Sequence, residues 1–445
     1  MRLPVRTTSS SEPMADPEQT RKKASRRILP FLFVLYVIAY LDRANVSFTR
    51  IPMMRELGFS DAAYGFGAGI FFAGYFLLEI PGALIVERWG ARRWIARILV
   101  TWGAVAALCA LVRTPVQFYA ARFFLGVAEA GFFPGILVYL AKWFGKNGHS
   151  RALAGFVMAS PVALLIGGPL SGLILLHVNW FGLGGWRWVF ILQGIPAILL
   201  GFVTWRHLAD SPQQAAWLNP AEKAVLQQNL DRERALHAGG ESWLAALRNP
   251  NVLLFCAAHA CLNIAGYGFI FWLPGTLKSA LRVSPELADA ASALPYVFAV
   301  FSIWLAGRSS DRTGRWKLHA CAPVLGAAFF FGLSSIPSQP PALVLLWLCL
   351  TASGVFSWIP GFWTLQSSLS TGPARAASIG LINSVGNLGG FAGPAIAGSL
   401  LTRTHSPYVL TILVSLFYCL AAGLIVLVKV RPPALPPGAP HAPLR

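Results

Sequence analysis

The sequence predicts an all-α integral membrane protein of about twelve spanning helices, arranged as two related six-helix halves. Three observations predict it. Of the 445 residues, 56% are hydrophobic and only 12% are charged, whereas a soluble chain carries about a quarter charged residues. The apolar residues form long, nearly uncharged blocks, among them Ile28–Leu41, Ile70–Val86, Ile98–Val112 and Val409–Val428. These are apolar all round and not striped, and a bilayer core takes roughly 20 such residues per helix. One short loop sequence also occurs twice, half a chain apart.

The elements follow in chain order. Residues 1–26 are polar and basic and read as a cytoplasmic tail. The first apolar block ends in Asp42-Arg43 without a small-residue cleavage site, so it is a retained helix and not a signal peptide. The first six spans lie near 27–48, 62–86, 94–112, 116–141, 152–177 and 187–205, filling an N-terminal half over 27–205. A polar stretch, 206–249, follows as a cytoplasmic central loop. Within it Asn219 can cap a helix, Pro220 suits its first turn, and Val225, Leu226 and Leu230 form an apolar stripe. Six more spans, near 251–277, 286–306, 318–336, 342–366, 376–401 and 407–429, fill a second half over 250–430. Residues 431–445 hold six prolines and read as a disordered cytoplasmic tail.

The net charge of +19 would suit a nucleic-acid binder. Its distribution excludes that class: Lys and Arg sit in short clusters between apolar blocks, mostly on the side of the N-terminus. This is the positive-inside pattern, and it puts both termini in the cytoplasm; a bacterial inner membrane is the expected location. The six cysteines all fall in apolar blocks with no CxxC pair, which implies neither disulfide nor metal.

The repeat is specific. Glu87-Arg88-Trp89-Gly90-Ala91-Arg92-Arg93 follows the second span, and Asp311-Arg312-Thr313-Gly314-Arg315-Trp316-Lys317 follows the eighth, 224 positions later. Gly168-Pro169 and Gly393-Pro394 stand 225 apart. Two halves on one plan is the organisation of a rocker-switch carrier, with its solute site between them near the midplane.

The paired loops resemble the signature loop of the major facilitator superfamily. A narrower resemblance covers most of the chain. Tyr40-Leu41-Asp42-Arg43-Ala44-Asn45, Glu79-Ile80-Pro81-Gly82, the run from Arg122 to Pro134, Gly185-Trp186-Arg187-Trp188, Phe271-Trp272-Leu273-Pro274 and the run from Asn383 to Phe391 resemble the anion:cation symporter family. That resemblance implies the major facilitator fold and proton-coupled uptake of an organic carboxylate such as a sugar acid, dicarboxylate or aromatic acid. It also supports binding or coupling roles for Asp42, Arg43, Arg122 and Glu129.

Five charged residues stand inside predicted spans: Asp42, Arg43, Glu79, Arg122 and Glu129, all in the first half. Each costs roughly 2.5–3.5 kcal/mol at a helix centre unless paired or facing a water-filled cavity. Asp42 and Arg43 leave their helix about 100° apart, and Asn45 shares the face of Asp42. Arg122 and Glu129 lie two turns apart on one face, about 10 Å. Guanidinium is always charged and binds two oxygens at once, so Arg43 and Arg122 are candidates to hold the substrate carboxylate. Glu129 is the candidate for the coupling proton, since its apolar neighbours Phe124, Val127, Phe132 and Phe133 disfavour a bare carboxylate. Asp42 is the second proton candidate and the expected partner that releases Arg43 when substrate binds. Glu79 reads equally as structural or functional. Glu87, Arg88, Asp311 and Arg312 are expected to latch helix ends during gating. Tyr75, Tyr267, Trp272, Asn383 and Asn387 are neutral candidates for the cavity wall, and His259 reads as a packed neutral imidazole.

The expected partners are a small organic anion, protons and the bilayer, with no nucleic acid, no cofactor and one chain as the working unit. A facilitator or anion exchanger on the same fold is the alternative, and it has little use for Glu129. A membrane enzyme or receptor is remote: the sequence has no phosphate-binding Gly-rich loop, no GxSxG and no His/Cys metal spacing.

Overall fold

A computed structural model describes residues 16–235, 248–368 and 372–429. The expected disordered tail and most of the expected N-terminal tail lie outside the described residues. So do the side chains of Leu230, Glu87 and Asp311. Among the described residues all regular structure is helical.

Helix α1 (Pro17–Leu57) begins ten residues before the expected 27. Asp16 caps it by accepting from the Glu18 amide at 2.8 Å, and Pro17 fills its first turn. The polar residues that follow are good helix formers, so the helix simply continues out of the apolar zone. Next come α2 (Asp61–Trp89), capped by Ser60, α3 (Ala91–Leu108), and α4 (Pro115–Glu129), capped by Thr114. Helices α5 (Phe132–Val157), α6 (Ala159–His177) and α7 (Gly185–His207) complete the first half.

The central loop carries α8 (Pro220–Ala235). Its start is a reciprocal capping box. The Glu222 amide donates to Asn219 Oδ1 at 2.7 Å, and the Asn219 amide donates to Glu222 Oε2 at 2.9 Å. Val225 and Leu226 are buried as the stripe predicts. Lys23 of α1 also donates to Glu222, at 2.8 Å, and this ammonium bond holds the Glu222 carboxyl below its ordinary range.

The second half consists of α9 (Pro250–Leu281), α10 (Pro285–Ala291), α11 (Ala293–Thr313), α12 (Trp316–Ser334), α13 (Pro341–Ser368), α14 (Gly372–Thr404) and α15 (Tyr408–Leu427). Eleven described spans are long and apolar enough to cross a bilayer. Helix α14, 33 residues long, supplies the remaining one. It is diluted by Asn383, Ser384, Asn387 and several glycines, and it packs against α2 and α9.

Three expected spans are broken, the fifth of them at Met158, between α5 and α6. The fourth stops at Glu129 and resumes at Phe132, because Gly131 takes φ 84°, a left-handed conformation open to glycine. The eighth is split at Ser292 into α10 and α11. In both repeated loops a glycine with positive φ ends the helix, Gly90 (φ 85°) and Gly314 (φ 63°), though with different ψ, 151° and 5°. Arg88 and Arg312 are exposed there.

The halves meet through α2 with α14, α6 with α10 and α11, and α1 with α9. At the end holding the start of α2 they are sealed. A Cβ at Gly65 would lie 2.2 Å from the Pro394 carbonyl oxygen, and one at Gly168 would lie 2.3 Å from that of Asp289. The Ala62 amide donates across to Thr402 Oγ1 at 2.8 Å. Arg50 pairs with Asp61 and lies 5.2 Å from the ring centre of Trp272 on the other half.

Candidate binding cavity

Behind the seal, between the halves, lies a cavity of about 140 Å³. From the first half come Tyr36, Tyr40 and Arg43 on α1, Tyr75 on α2, Phe133 on α5 and Ser160 on α6. Residues 36, 40 and 43 share one helical face. From the second half, α9 contributes His259, Asn263, Tyr267 and Ile270, also at helical spacing, and α14 contributes Asn383 and Asn387. Val157, Leu262 and Gly266 and a face of α13, made of Val355, Phe356, Trp358, Ile359 and Trp363, complete the wall.

Arg43 is the cavity's cation. It is 9% exposed, and its guanidinium is ion-paired to Glu129 Oε1. Tyr75, Phe71, Tyr40 and Phe72 surround it, with ring centres 5.2–5.9 Å from Cζ. Glu129 is fully buried at the end of α4, and its Oε2 has no hydrogen-bond partner among the described residues.

Asp42 does not partner Arg43, contrary to the sequence expectation. It is fully buried on another face of α1, where Trp102 Nε1 donates to Oδ2 at 2.5 Å and Asn45 Nδ2 donates to Oδ1 at 2.8 Å. The 100° between neighbours decides this, since α3 stands where Asp42 points.

Arg122 is also away from the cavity wall. It is 0% exposed, 5.0 Å from the ring centre of Phe71, and its three guanidinium nitrogens have no hydrogen-bond partner among the described residues. Its helical face is that of Glu129, but Phe71 stands beside it. Trp272 is likewise not in the cavity wall; it packs on Tyr64 and Arg50 in the seal.

Glu79 has a definite position. Asn383 donates to its Oε1 at 2.5 Å and Asn387 to its Oε2 at 3.1 Å. The carboxylate of the first half is thus clasped by the two asparagines of the second, on the cavity's border. Asn383 and Asn387 lie one turn apart, and that spacing delivers both donors to one carboxylate.

Sequence reading missed other members. His259 is in the cavity wall, with Nδ1 3.0 Å from the Ile382 carbonyl oxygen. The 259–263–267 spacing was the signal available. Asp289 is a buried charge in the second half, 1% exposed, which corrects the expectation that all such charges lie in the first. It stands in the last turn of α10, and its backbone carbonyl lies against Gly168.

Residues 32–394 match the family model of the Major Facilitator Superfamily. A protein of Agrobacterium vitis named as a tartrate transporter is 39% identical over 390 residues, 86% of this chain and 89% of its own. A quinolone resistance transporter of Acinetobacter baumannii is 39% identical over 380 residues, 84% of this chain and 86% of its own. Among solved structures, the inward-open xylose transporter XylE from E. coli superposes with a TM-score of 0.71 at 15% identity, covering 90% of this chain and 95% of that one. A twelve-span helical fold, a cavity between its halves and this family match make the chain a membrane transporter of the Major Facilitator Superfamily.

Proposed function

We propose that this protein is a proton-coupled symporter that takes up a small organic carboxylate by rocker-switch alternating access. One observation carries the reading: the cavity's cation, Arg43, is paired to a fully buried carboxylate, Glu129, on another helix. A substrate carboxylate arriving at Arg43 competes with Glu129 for the same fork of N–H donors. A carboxylate stripped of its cation in an apolar site is costly, and a proton removes that cost. Substrate at Arg43 and a proton at Glu129 therefore favour each other, which is the linkage symport needs.

The relative named for tartrate supports an organic anion as cargo. Asp42, enclosed by Trp102 and Asn45, is the second candidate proton site. Arg122 acts at a distance, as a buried positive charge behind Glu129. The charge clusters support cytoplasmic termini in a bacterial inner membrane, with one chain as the working unit. The sealed end then faces outward, and the cavity serves the cytoplasmic side. Residues 27–205 and 250–430 are the two rocking units, joined by the central loop.

The test uses full-length protein in proteoliposomes with a radiolabelled carboxylate. Glu129→Gln should lose accumulation driven by an inward proton gradient, by about tenfold or more, while counterflow exchange persists. Undiminished uphill uptake removes Glu129 from the mechanism and favours a coupling path through another group. A wild-type protein that equilibrates substrate without responding to the gradient is a facilitator.

A further inference from the structure

We infer that Asp289 is a proton-binding site built into the seal: its carboxyl carries a proton while the halves are closed over it and gives that proton up when they part. This goes beyond the symport reading and does not rest on it. Asp289 is 1% exposed, and its Oδ2 has no hydrogen-bond partner among the described residues. Part of its cover belongs to the other half. A Cβ at Gly168 of α6 would lie 2.3 Å from the Asp289 carbonyl oxygen, and one at Gly172 would lie 2.7 Å from that of Glu286. Backbone thus meets backbone across the interface, with no room for water between the two helices there.

Among the described residues no cation pairs with it. The helices packed against α10 are α6, α9, α1 and α11. Along α6 there is no ionisable side chain between Ala159 and His177, and His177 is exposed. On α1, Arg43 is paired to Glu129, Arg50 to Asp61 and Glu56 to Arg187, while Arg55 is exposed. On α9, His259 and Tyr267 face the cavity, and Lys278 and the exposed Arg282 follow at the helix end. Helix α11 brings the buried phenol of Tyr296. On α10 itself Glu286 stands three residues before Asp289, a like charge on the same side. Ser292 is buried close by, but its hydroxyl donates to the Asp289 backbone carbonyl, at 2.5 Å.

An unpaired carboxylate in a dry contact is costly, and a proton removes most of that cost. Parting α6 from α10 admits water, which solvates the ionised form. The closed seal therefore holds one proton more than the open one. By linkage, each unit of rise in pH shifts the balance toward opening by up to about tenfold. Acid closes the seal and alkali opens it. The proton enters and leaves on one side, because the site is covered again before the opposite side opens. Unlike a proton at Glu129 it is not carried across, and it adds nothing to the coupling ratio. With the sealed end outward, the outer medium sets how readily the carrier closes.

The experiment uses the full-length protein with its native cysteines replaced and spin labels on Asn179→Cys and Ser338→Cys, exposed positions at the sealed end of the two halves. Pulsed electron resonance reads their separation without substrate, from about pH 5 to about pH 9. With Asp289 in place, the ratio of wide to narrow separations should grow with pH, several-fold to about tenfold per unit over part of that range. Asp289→Asn keeps the shape of the neutral acid and cannot ionise, so it should hold the labels at the narrow separation throughout. Asp289→Ala, equally neutral, should do the same, and it serves if the Asn variant does not fold. A rise of full size that persists in the neutral variants places the titration elsewhere and overturns the assignment. So does a pH-independent distribution in the protein that keeps Asp289. No substrate or gradient is used, so either result leaves the symport reading standing.

Discussion

Neighbouring residues leave a helix about 100° apart, and at Asp42 and Arg43 that angle sends one side chain to Trp102 and Asn45 and the other to Glu129. Trp102 is fully buried, and its indole N–H is one of the two side-chain donors bonded to Asp42. Trp102→Phe preserves most of the ring volume and removes the donor. It should destabilise the protein by about 1–3 kcal/mol, the cost of an acceptor left unsatisfied in the interior. Thermal unfolding in detergent checks this, and an unchanged midpoint would mean that Asp42 finds another donor. At this scale the five charges of the first half were legible, since an ionisable residue in an apolar run is conspicuous, and Asp289 was not, because it lies close to the start of its span. Their pairing was not. Whether Arg43 meets Asp42 or Glu129 depends on which helix stands opposite, and local spacing holds no record of that. Arg122 shows the same limit: its face was read correctly as that of Glu129, yet Phe71 occupies the space beside it.

Elements carry the next set of constraints. The seal is made where α2 meets α14 and α6 meets α10, and in both places glycine lets one backbone touch another. A side chain at position 65 cannot coexist with the Pro394 carbonyl at its present distance. Gly65→Leu should therefore push the halves apart at that end and shift the population toward the state open there. Hydrogen exchange reads it directly: amides at the start of α2 and over the second half of α14 should exchange about tenfold faster or more than in the wild type. Equal protection would show that the seal is held elsewhere, at Arg50, Asp61 and Trp272. The sequence showed the start of α8, because its signals are local: Asn219 and Pro220 are neighbours, and the reciprocal bond from Glu222 emerged only in the structure. It did not show the break after Glu129. Gly131 is one of many glycines in the spans, and its left-handed φ becomes necessary only because α4 and α5 meet different neighbours.

For the whole molecule, hydropathy and a repeated loop were enough to read the fold class, since both are averages over many residues and tolerate local error. The interface between the halves was less legible, because it belongs to neither half alone. The clasp of Asn383 and Asn387 on Glu79 is such a feature. It ties the two halves at the border of the cavity, so any rocking motion that widens the interface there must release it. Asn387→Ala removes one of its donors. Spin labels placed on the two halves should then report a broader distance distribution by pulsed electron resonance, with a larger share of wide separations. A distribution identical to the wild type would show that the clasp does not restrain the halves. The chemistry of the cavity is divided along the same line. Arg43 and Glu129 come from the first half, and the indoles of α13 come from the second. The two halves follow one plan, yet they give the cavity different side chains: a buried ion pair from one and an aromatic face from the other. A substitution on the face of α13 can then reshape the wall of the cavity and leave the buried Arg43–Glu129 pair untouched.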